Sequence, residues 1–374
     1  MKVFVIGPIF PYRGGIAHSN RMLCENLAEN NDLTVISFSR MYPRLLYPGR
    51  DQKETTADPG FSLSVEYVLD SLNPFTWARI GRRIRREMPD RVIFQWWHTF
   101  FAPSYWLIRR RGRNPRTRFG VVCQNVLPHE SSRFHERLTR FFFRGIHYFI
   151  ALSRSDLATV QALLPGAPAR WITERTSESQ FGRKPSVDAA RARLGVSQET
   201  LLFFGFVRPY KGLEYLLQAL PAVIARRPRL TLVIAGEFWK NREAYESQID
   251  ALGLRPHVRV VDRYLSAEEV PTYFAAADAV VLPYVSSTES GIIQLAFGLN
   301  TPVITTAVGG NVDFIEHGKT GMLCRPQDPD DLARVILDFY EADRGPLLRE
   351  GMRAREEQFA WTAEKERAVL GVSG

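Results

Sequence analysis

Two cations stand three residues apart in a turn that follows an apolar run. They are Arg208 and Lys211, in the segment 203–212, which reads Phe-Phe-Gly-Phe-Val-Arg-Pro-Tyr-Lys-Gly. A planar guanidinium and a compact ammonium at this spacing can both reach one pyrophosphate and neutralise the charge that develops on a leaving group. A solvated turn can carry the same residue types, so this segment alone leaves both interpretations open.

A second candidate anion site is Glu289-Ser290-Gly291, where a polar loop meets an apolar segment that is predicted to be a helix. The first N–H groups of a helix lack intrahelical partners, and the helix dipole adds positive charge there, so phosphate binds well at this end. Ser290 is a candidate N-cap, Gly291 allows close approach of the backbone, and Gln294 lies one turn later. An ordinary capped crossover between strands is the alternative. Pairing this segment with the two cations favours a diphosphate site.

The first loop, residues 7–17, follows the first predicted strand and opens a helix, which is where nucleotide-binding folds place a phosphate loop. It contains Gly14 and Gly15 but neither Gly-x-Gly-x-x-Gly nor Gly-Lys-Ser/Thr, so a dinucleotide fold or a P-loop is not indicated. The adjacent glycines still allow a ligand to approach the helix start. A purely structural tight turn is the alternative.

Length and composition indicate an ordinary globular protein of two domains. The chain has 374 residues, 45% of them hydrophobic and 24% charged, and this length exceeds the size at which single cores usually stop growing. No apolar run approaches the roughly 20 residues that span a bilayer, and the short first run does not resemble a secretory signal, so we expect a cytoplasmic protein. The three cysteines lack metal-type spacing, which predicts buried reduced thiols and no metal site.

The net charge of +9 is concentrated in one window, residues 79–118, which holds twelve arginines against Glu87 and Asp90. Tryptophan, tyrosine and phenylalanine residues interleave with these arginines. A basic aromatic face can lie on an anionic membrane, which would place the protein peripherally on the inner face of the membrane. The alternative is solvated helix faces whose arginine stems cover apolar surface. No nucleic-acid motif accompanies the charge, so we expect no nucleic acid partner.

Short β-branched or aromatic runs alternate with longer amphipathic segments, which is typical of parallel sheets covered by helices on both faces. The pattern lapses over a polar stretch near 174–187, which predicts a linker. We therefore expect one doubly wound domain over 1–180, a second over 188–358, and a final helix within 359–374 that packs back on the first. The predicted strands are Val3–Ile6, Leu33–Ser37, Arg91–Gln95, Phe119–Cys123, Tyr148–Ala151, Leu201–Gly205, Leu230–Ala235, Val258–Val261, Ala279–Leu282 and Pro302–Thr305.

The motifs of the second half together resemble the retaining glycosyltransferases of family 4, also called glycosyl transferases group 1. These motifs are Gly205…Arg208-x-x-Lys211-Gly212, Ala235-Gly236-Glu237, Thr288-Glu289-Ser290-Gly291, Thr301-Pro302-Val303-Ile304 and Gly309-Gly310. The correspondence runs from Gly14-Gly15 to about Gly321. The resemblance implies an α/β protein of GT-B fold, in which two Rossmann-like doubly wound domains face a central cleft. It also implies a nucleotide-sugar donor held by the second domain and an acceptor held mainly by the first.

The resemblance also implies roles for individual residues. Arg208 and Lys211 match the diphosphate-binding pair that stabilises the leaving group, and Glu289 or its neighbours would hold sugar hydroxyls. The other residues that it assigns to the donor are Gly14, Gly15, Gly205, Glu237, Arg263, Tyr264, Ser290, Gly291, Ile292 and Gln294. Of these, Arg263 and Tyr264 match the loop that cups the base.

Two departures from the family pattern concern the sugar and ribose contacts. The usual Glu-x7-Glu spacing is absent, because the position that should hold the second glutamate, counted from Glu289, is Phe297. Gln294 is the nearest candidate on the predicted helix. In the segment 122–130, a family His that precedes Asn or Asp is replaced by Gln124, ahead of Asn125. Gln124 and Asn125 are both kept as candidate catalytic residues.

Three histidine and aspartate features have competing interpretations. His129 and His98 are candidate acceptor contacts, and each has a structural alternative, a hydrogen-bonded loop imidazole for His129 and a buried aromatic cluster for His98. Asp328-Pro329-Asp330 imitates an Asp-x-Asp metal motif, but Pro329 suits a first helical turn, so helix capping is favoured.

The sequence therefore predicts a metal-independent, cofactor-free, retaining glycosyltransferase that moves a hexosyl group from a UDP- or GDP-type donor to a hydroxyl acceptor, such as a lipid-linked or surface polysaccharide precursor. A same-side mechanism needs no protein base, because the leaving phosphate can accept the acceptor's proton. The alternative is a non-catalytic nucleotide-sugar binding or assembly protein on the same fold. A nicotinamide-dependent oxidoreductase would need the glycine motif that the first loop lacks.

Overall fold

The computed structural model describes residues 1–43, 51–54, 61–128, 132–173, 184–196, 199–239, 241–287 and 291–372. The chain divides into two compact units. The first comprises Met1–Glu174 and Trp361–Gly374, and the second Arg175–Ala360.

The first unit alternates strands and helices along the chain. Its strands and helices are β1 (Lys2–Ile6), α1 (Gly15–Ala28), β2 (Asp32–Arg40), β3 (Val65–Asp70), α2 (Pro74–Glu87), β4 (Arg91–Trp96), α3 (Ala102–Gly112), β5 (Arg118–Cys123), α4 (Arg133–Phe143), β6 (Tyr148–Ala151), α5 (Arg154–Leu163) and β7 (Ala169–Trp171), with the late helix α14 (Ala363–Val369). In the described part of the unit, the strands form one parallel sheet of order β3-β2-β1-β4-β5-β6-β7.

Both faces of this sheet are buried. Successive side chains of a strand point to opposite faces, and helices cover each face, as is usual for parallel sheets. Phe4 and Ile6 pack in the cluster that holds apolar residues of α2, α3 and α4. Val3 and Val5 point to the other face, where α1 and α14 supply the partners. Burying each large apolar side chain stabilises the fold by roughly 1.5–3 kcal/mol. Because both faces are buried, nearly every strand position is apolar.

The second unit has the same alternation. Its elements are α6 (Val187–Leu194), β8 (Glu199–Phe204), α7 (Leu213–Arg226), β9 (Leu230–Ala235), α8 (Arg242–Ala251), β10 (Val258–Val261), α9 (Val270–Ala276), β11 (Ala279–Leu282), α10 (Gly291–Gly298), β12 (Val303–Thr306), α11 (Asn311–Phe314), β13 (Met322–Cys324), α12 (Pro329–Glu341) and α13 (Arg344–Arg355). Its described strands form a parallel sheet of order β10-β9-β8-β11-β12-β13. In this order β8 neighbours both β9 and β11, so the loops that follow these three strands meet at one edge of the sheet.

The expected fold class, two Rossmann-like doubly wound domains, is confirmed. All ten predicted strands are present, with bounds that shift by at most three residues. Among the described residues, three strands were not predicted, namely β3, β7 and β13, and each lies at an edge of its sheet. The three cysteines are free and buried, as expected. No helix among the described residues combines the length and hydropathy of a membrane span.

Candidate functional site

The turn after β8 is shaped by two glycines with positive φ. The strand ends at Phe204, Gly205 follows with φ +94°, and a short 3-10 turn over Pro209–Lys211 ends at Gly212 with φ +66°. A Cβ on Gly212 would lie 2.0 Å from the carbonyl oxygen of Pro283, so only glycine fits there. The turn therefore directs Lys211 back over the carboxyl end of the sheet.

Lys211 is buried at the centre of this edge, with 6% of its surface exposed. Burial, and then the neighbouring positive charge of Arg208, lower the pKa of its ammonium to about 7. A Cβ added at Gly205 would lie 2.9 Å from Lys211 Nζ and 3.0 Å from Cδ1 of Ile292, in the first turn of α10. Three of the predicted donor residues thus come together within the second unit.

Arg208 is held between two aromatic rings. Its guanidinium carbon lies 4.8 Å from the ring centroid of Trp239 and 5.0 Å from that of Tyr210. The Trp239 ring in turn packs on Phe206, with centroids 4.9 Å apart. Contacts of this kind contribute roughly 0.5–2 kcal/mol each, so the aromatic cluster fixes the cation before any ligand arrives.

The start of α10 completes the sheet edge. The helix begins at Gly291, which is exposed. Gln294, one turn into the helix, is 4% exposed and faces the interior. Glu289 and Ser290 lie outside the described residues, so their predicted contacts stay predictions.

The loops after β9 and β10 hold three more of the predicted donor residues, namely Glu237, Arg263 and Tyr264. Glu237 is 3% exposed, and its carbonyl oxygen accepts a hydrogen bond from Val207 N at 2.9 Å. Arg263 forms a two-bond ion pair with Glu269, at 2.8 and 2.5 Å. This pair lowers the pKa of Glu269 to about 2. Tyr264 lies beside Phe206, with ring centroids 5.9 Å apart.

In the first unit, Gln124 is part of a buried polar network. Its side-chain nitrogen donates to Ser19 Oγ at 2.8 Å and to Gln95 Oε1 at 3.1 Å, and the residue is 7% exposed. Gln95 itself lies under the first loop, since a Cβ on Gly7 would come within 2.6 Å of it. These hydrogen bonds hold the Gln124 amide at the carboxyl edge of the first sheet.

The neighbouring residue Asn125 is held through the backbone of Val126. Val126 N donates to Asp156 Oδ1 at 2.9 Å, and its carbonyl accepts from Trp96 Nε1 at 3.1 Å. Burial raises the pKa of Asp156 to about 6, because a charged carboxylate is unfavourable in the protein interior. Asn125, next to the clamped residue, is half-buried.

Of the two candidate acceptor histidines, only His98 lies among the residues that the structure describes. His98 Nδ1 accepts a hydrogen bond from Phe100 N at 3.1 Å and caps a 3-10 turn, and its ring centroid lies 6.3 Å from that of His135. His129 lies outside the described residues. Gly14 is the N-cap of α1 with φ 102°, and the Cβ position on Gly15 faces open space, so both glycines leave room at this helix start.

The remaining sequence features can be placed as well. Asp328 caps α12 by accepting from Asp331 N at 2.9 Å, with Pro329 as the first helical residue, which confirms the capping interpretation. The basic window 79–118 is spread over α2, β4 and α3, and several of its arginines are engaged, as Arg83 is with Glu66 and Glu87. Within the described ranges, no group of three His, Cys, Asp or Glu residues could hold a metal ion.

Sequence reasoning did not identify the aromatic residues around the two cations. No motif marks Phe206, Tyr210 and Tyr284, and Trp239, which follows Ala235-Gly236-Glu237, could flank a nucleotide or simply start a helix. The useful signal was their position, because each stands within a few residues of the carboxyl end of a predicted strand.

The second unit matches a known family. Residues 198–342 match the model of the family described as glycosyl transferases group 1. A D-inositol 3-phosphate glycosyltransferase of Streptomyces coelicolor is 31% identical over 183 residues, which cover 46% of this chain and 40% of that protein. Spore coat protein SA of Bacillus subtilis is 28% identical over 204 residues, which cover 51% of each. The matches thus span about half the length of these curated relatives or less.

Solved structures resemble the whole chain. HepE from Anabaena in complex with UDP-glucose gives a TM-score of 0.79 at 16% identity, over 99% of both chains. A sucrose-phosphate synthase from Thermosynechococcus elongatus gives 0.72 at 17% identity, over 99% of this chain and 97% of that one. At such identities the likeness concerns the fold, which is that of GT-B glycosyltransferases.

Proposed function

We propose that this chain, whose residues 198–342 match the family model of glycosyl transferases group 1, transfers a hexosyl group from a UDP- or GDP-type sugar to a hydroxyl acceptor with retention. The observation that carries the proposal is the convergence of Lys211, Gly205 and Ile292 beside Arg208 at one sheet edge. Two cations and a helix start there provide the charge that a diphosphate needs.

In the proposed reaction, the bond between the anomeric carbon and the diphosphate oxygen breaks, and a bond to the acceptor oxygen forms on the same face of the sugar. The acceptor's proton passes to the departing phosphate oxygen. Arg208 and Lys211 stabilise the charge on the leaving diphosphate. We propose that they do so without a divalent cation, so activity should withstand EDTA.

The acceptor side of the proposal rests on the first unit. The clamped segment at Asn125 and the half-buried His98 lie at the carboxyl ends of β5 and β4, where ligands bind in open α/β sheets. The basic window 79–118 supports a lipid-linked or surface polysaccharide acceptor and a peripheral position on the inner face of the membrane.

A panel of nucleotide sugars tests the proposal. Purified protein is screened for a thermal shift with UDP, GDP and their hexose conjugates, and each donor that binds is assayed for hydrolysis and for transfer with and without EDTA. Turnover of any donor supports a transferase. Tight binding without turnover would instead indicate a non-catalytic nucleotide-sugar binding protein, and no binding at all would overturn the donor site.

A further inference from the structure

The outer side of α4 exposes aromatic and basic residues together. Phe134 is 66% exposed and Phe141 is 46% exposed. They stand two helical turns apart and so share one side of the helix. Arg133, Arg137 and Arg144 are exposed along the same side. These five residues are called the α4 face below.

Helix α3 extends this face. The Trp106 ring lies 5.2 Å from the Phe141 ring, centroid to centroid, and the Arg110 guanidinium carbon lies 5.1 Å from the centroid of Trp106. Arg110 is exposed and Trp106 is half-buried. The surface therefore continues across two helices as aromatic rings bordered by guanidinium groups.

A surface pocket of about 420 Å³ adjoins the end of α4. Arg140 and Arg144 lie at this pocket, and its walls include the apolar side chains of Phe143, Leu163 and Leu164. The pocket is at the amino ends of β6 and β7, away from the sheet edge that holds Asn125. Two cations beside apolar walls are the chemistry that suits an amphiphile with a negative headgroup.

The net positive charge around α3 and α4 favours an anionic partner. From Thr99 to Ser155 the chain carries eleven arginines and two acids, Glu130 and Glu136. Arginine stems with exposed aromatic rings are typical of surfaces that lie at the headgroup level of anionic membranes. Exposing two phenylalanines to water alone is unfavourable, which favours a partner that covers Phe134 and Phe141.

We propose that the α4 face docks on a bilayer of anionic phospholipid. Phe134 and Phe141 enter the interface, the arginines contact lipid phosphates, and the pocket at Arg140 and Arg144 receives a single lipid. This site lies mainly outside the 79–118 window, from which it takes Trp106 and Arg110. It deepens the proposed function, on which it rests for its purpose, by specifying a lipid-linked acceptor.

The position of α4 suits that purpose. The helix begins at the cap Ser132, after the carboxyl end of β5, which is also where Asn125 lies. A bilayer along this helix would reach the edge of the first sheet at which an acceptor is expected.

A fluorescent label tests the docked face. Because Cys24, Cys123 and Cys324 are buried, an environment-sensitive maleimide dye will report on an added cysteine. Phe134→Cys and Phe141→Cys are compared with Phe75→Cys, a matched control at an 83% exposed phenylalanine on α2. With vesicles of phosphatidylglycerol and phosphatidylcholine we expect a blue shift at the first two positions and none at Phe75. No shift at Phe134 and Phe141, or an equal shift at all three, would overturn the proposal.

Charge reversal gives a second measurement. Arg137→Glu with Arg144→Glu should lower the fraction that sediments with these vesicles at least tenfold. Arg226→Glu with Arg229→Glu, an equal change of charge on exposed residues of the second unit, should leave most of it. Unchanged sedimentation of the first pair, or equal loss in both, would contradict docking by α4. Binding of UDP, measured on the same samples, tests the donor site separately, so the two failures can be told apart.

Discussion

Lys211 Nζ lies 5.8 Å from the centroid of the Tyr284 ring, at a position where the lysine is almost fully buried. The two residues follow β8 and β11, which are neighbours in the sheet. Burial and Arg208 lower the pKa of the ammonium to about 7, far below the ordinary value near 10.4. Without a bound anion, this lysine is therefore only partly charged near pH 7.

This relationship predicts a pH dependence for donor binding. A bound diphosphate favours the ammonium and raises its pKa, so above pH 7 the protein must take up a proton when it binds. The dissociation constant of UDP should therefore rise with pH above about 7, by up to tenfold per pH unit, and level off below it. Titration calorimetry from pH 6 to 9, in buffers of different ionisation enthalpy, would measure both affinity and proton uptake.

The variant Lys211→Arg is the matched control, because a guanidinium stays charged across this range. Its UDP affinity should follow only the titration of the nucleotide itself. Absence of proton uptake by the wild-type protein at pH 8 would show that Lys211 is already charged in the empty site.

A double-mutant cycle tests the role of Trp239. Arg208→Ala should weaken UDP binding by at least about 1 kcal/mol, the scale of a lost charge-assisted hydrogen bond, which is roughly fivefold. Trp239→Leu should cost about 0.5–2 kcal/mol through the lost cation–π contact, and Trp239→Phe should recover part of it. Because the ring acts by holding the guanidinium, the two effects should not add. Full additivity would mean that Trp239 does not act through Arg208.

The central strands of both sheets could be predicted because they are buried on both faces and therefore read as unbroken apolar runs. The edge strand β3 has the sequence Val-Glu-Tyr-Val-Leu-Asp and only one fully buried residue, so its composition resembles a loop. The strand β7 has three residues, Ala-Arg-Trp, too few for any period. Such strands are specified by pairing with a neighbour, which is a tertiary property.

The site divides in the same way. Arg208 and Lys211 could be identified because a turn after a strand fixes their position locally. Lys211 and Ile292 meet at Gly205, which brings together residues up to 87 positions apart in sequence. The hydrogen bond of Val126 N to Asp156 joins the loop after β5 to the first turn of α5. Gln124 is the clearest case, since its type suggests a ligand contact while its hydrogen bonds go to Ser19 and Gln95.

Removing the Gln124 amide tests this positioning role. Gln124→Leu loses two buried hydrogen bonds and should lower the free energy of unfolding by about 1–3 kcal/mol, while UDP affinity stays unchanged because the proposed diphosphate contacts, Arg208 and Lys211, belong to the second unit. Gln161→Leu, on an exposed position of α5, should alter neither. Urea unfolding and UDP titration measure the two quantities. A large loss of turnover with full stability would instead indicate that Gln124 contacts the substrate.

The turn that presents Lys211 depends on Gly212, and a matched glycine separates the two reasons for it. Gly212 and Gly253 have nearly the same φ, +66° and +65°, but a Cβ would meet the Pro283 carbonyl oxygen only at Gly212, while nothing lies within 4 Å of the corresponding position at Gly253. Gly253→Ala should therefore cost about 1 kcal/mol of stability for the left-handed backbone alone, and Gly212→Ala about 2–4 kcal/mol because the clash is added.

Urea unfolding of both variants measures this difference. Because the Pro283 carbonyl must move to admit the new methyl group, Gly212→Ala should also displace Lys211 and weaken UDP binding, whereas Gly253→Ala should bind UDP like the wild-type protein. Equal stability of the two variants would mean that the loop after β11 yields freely, and the close packing of Gly212 against Pro283 would then not be what holds the lysine in place.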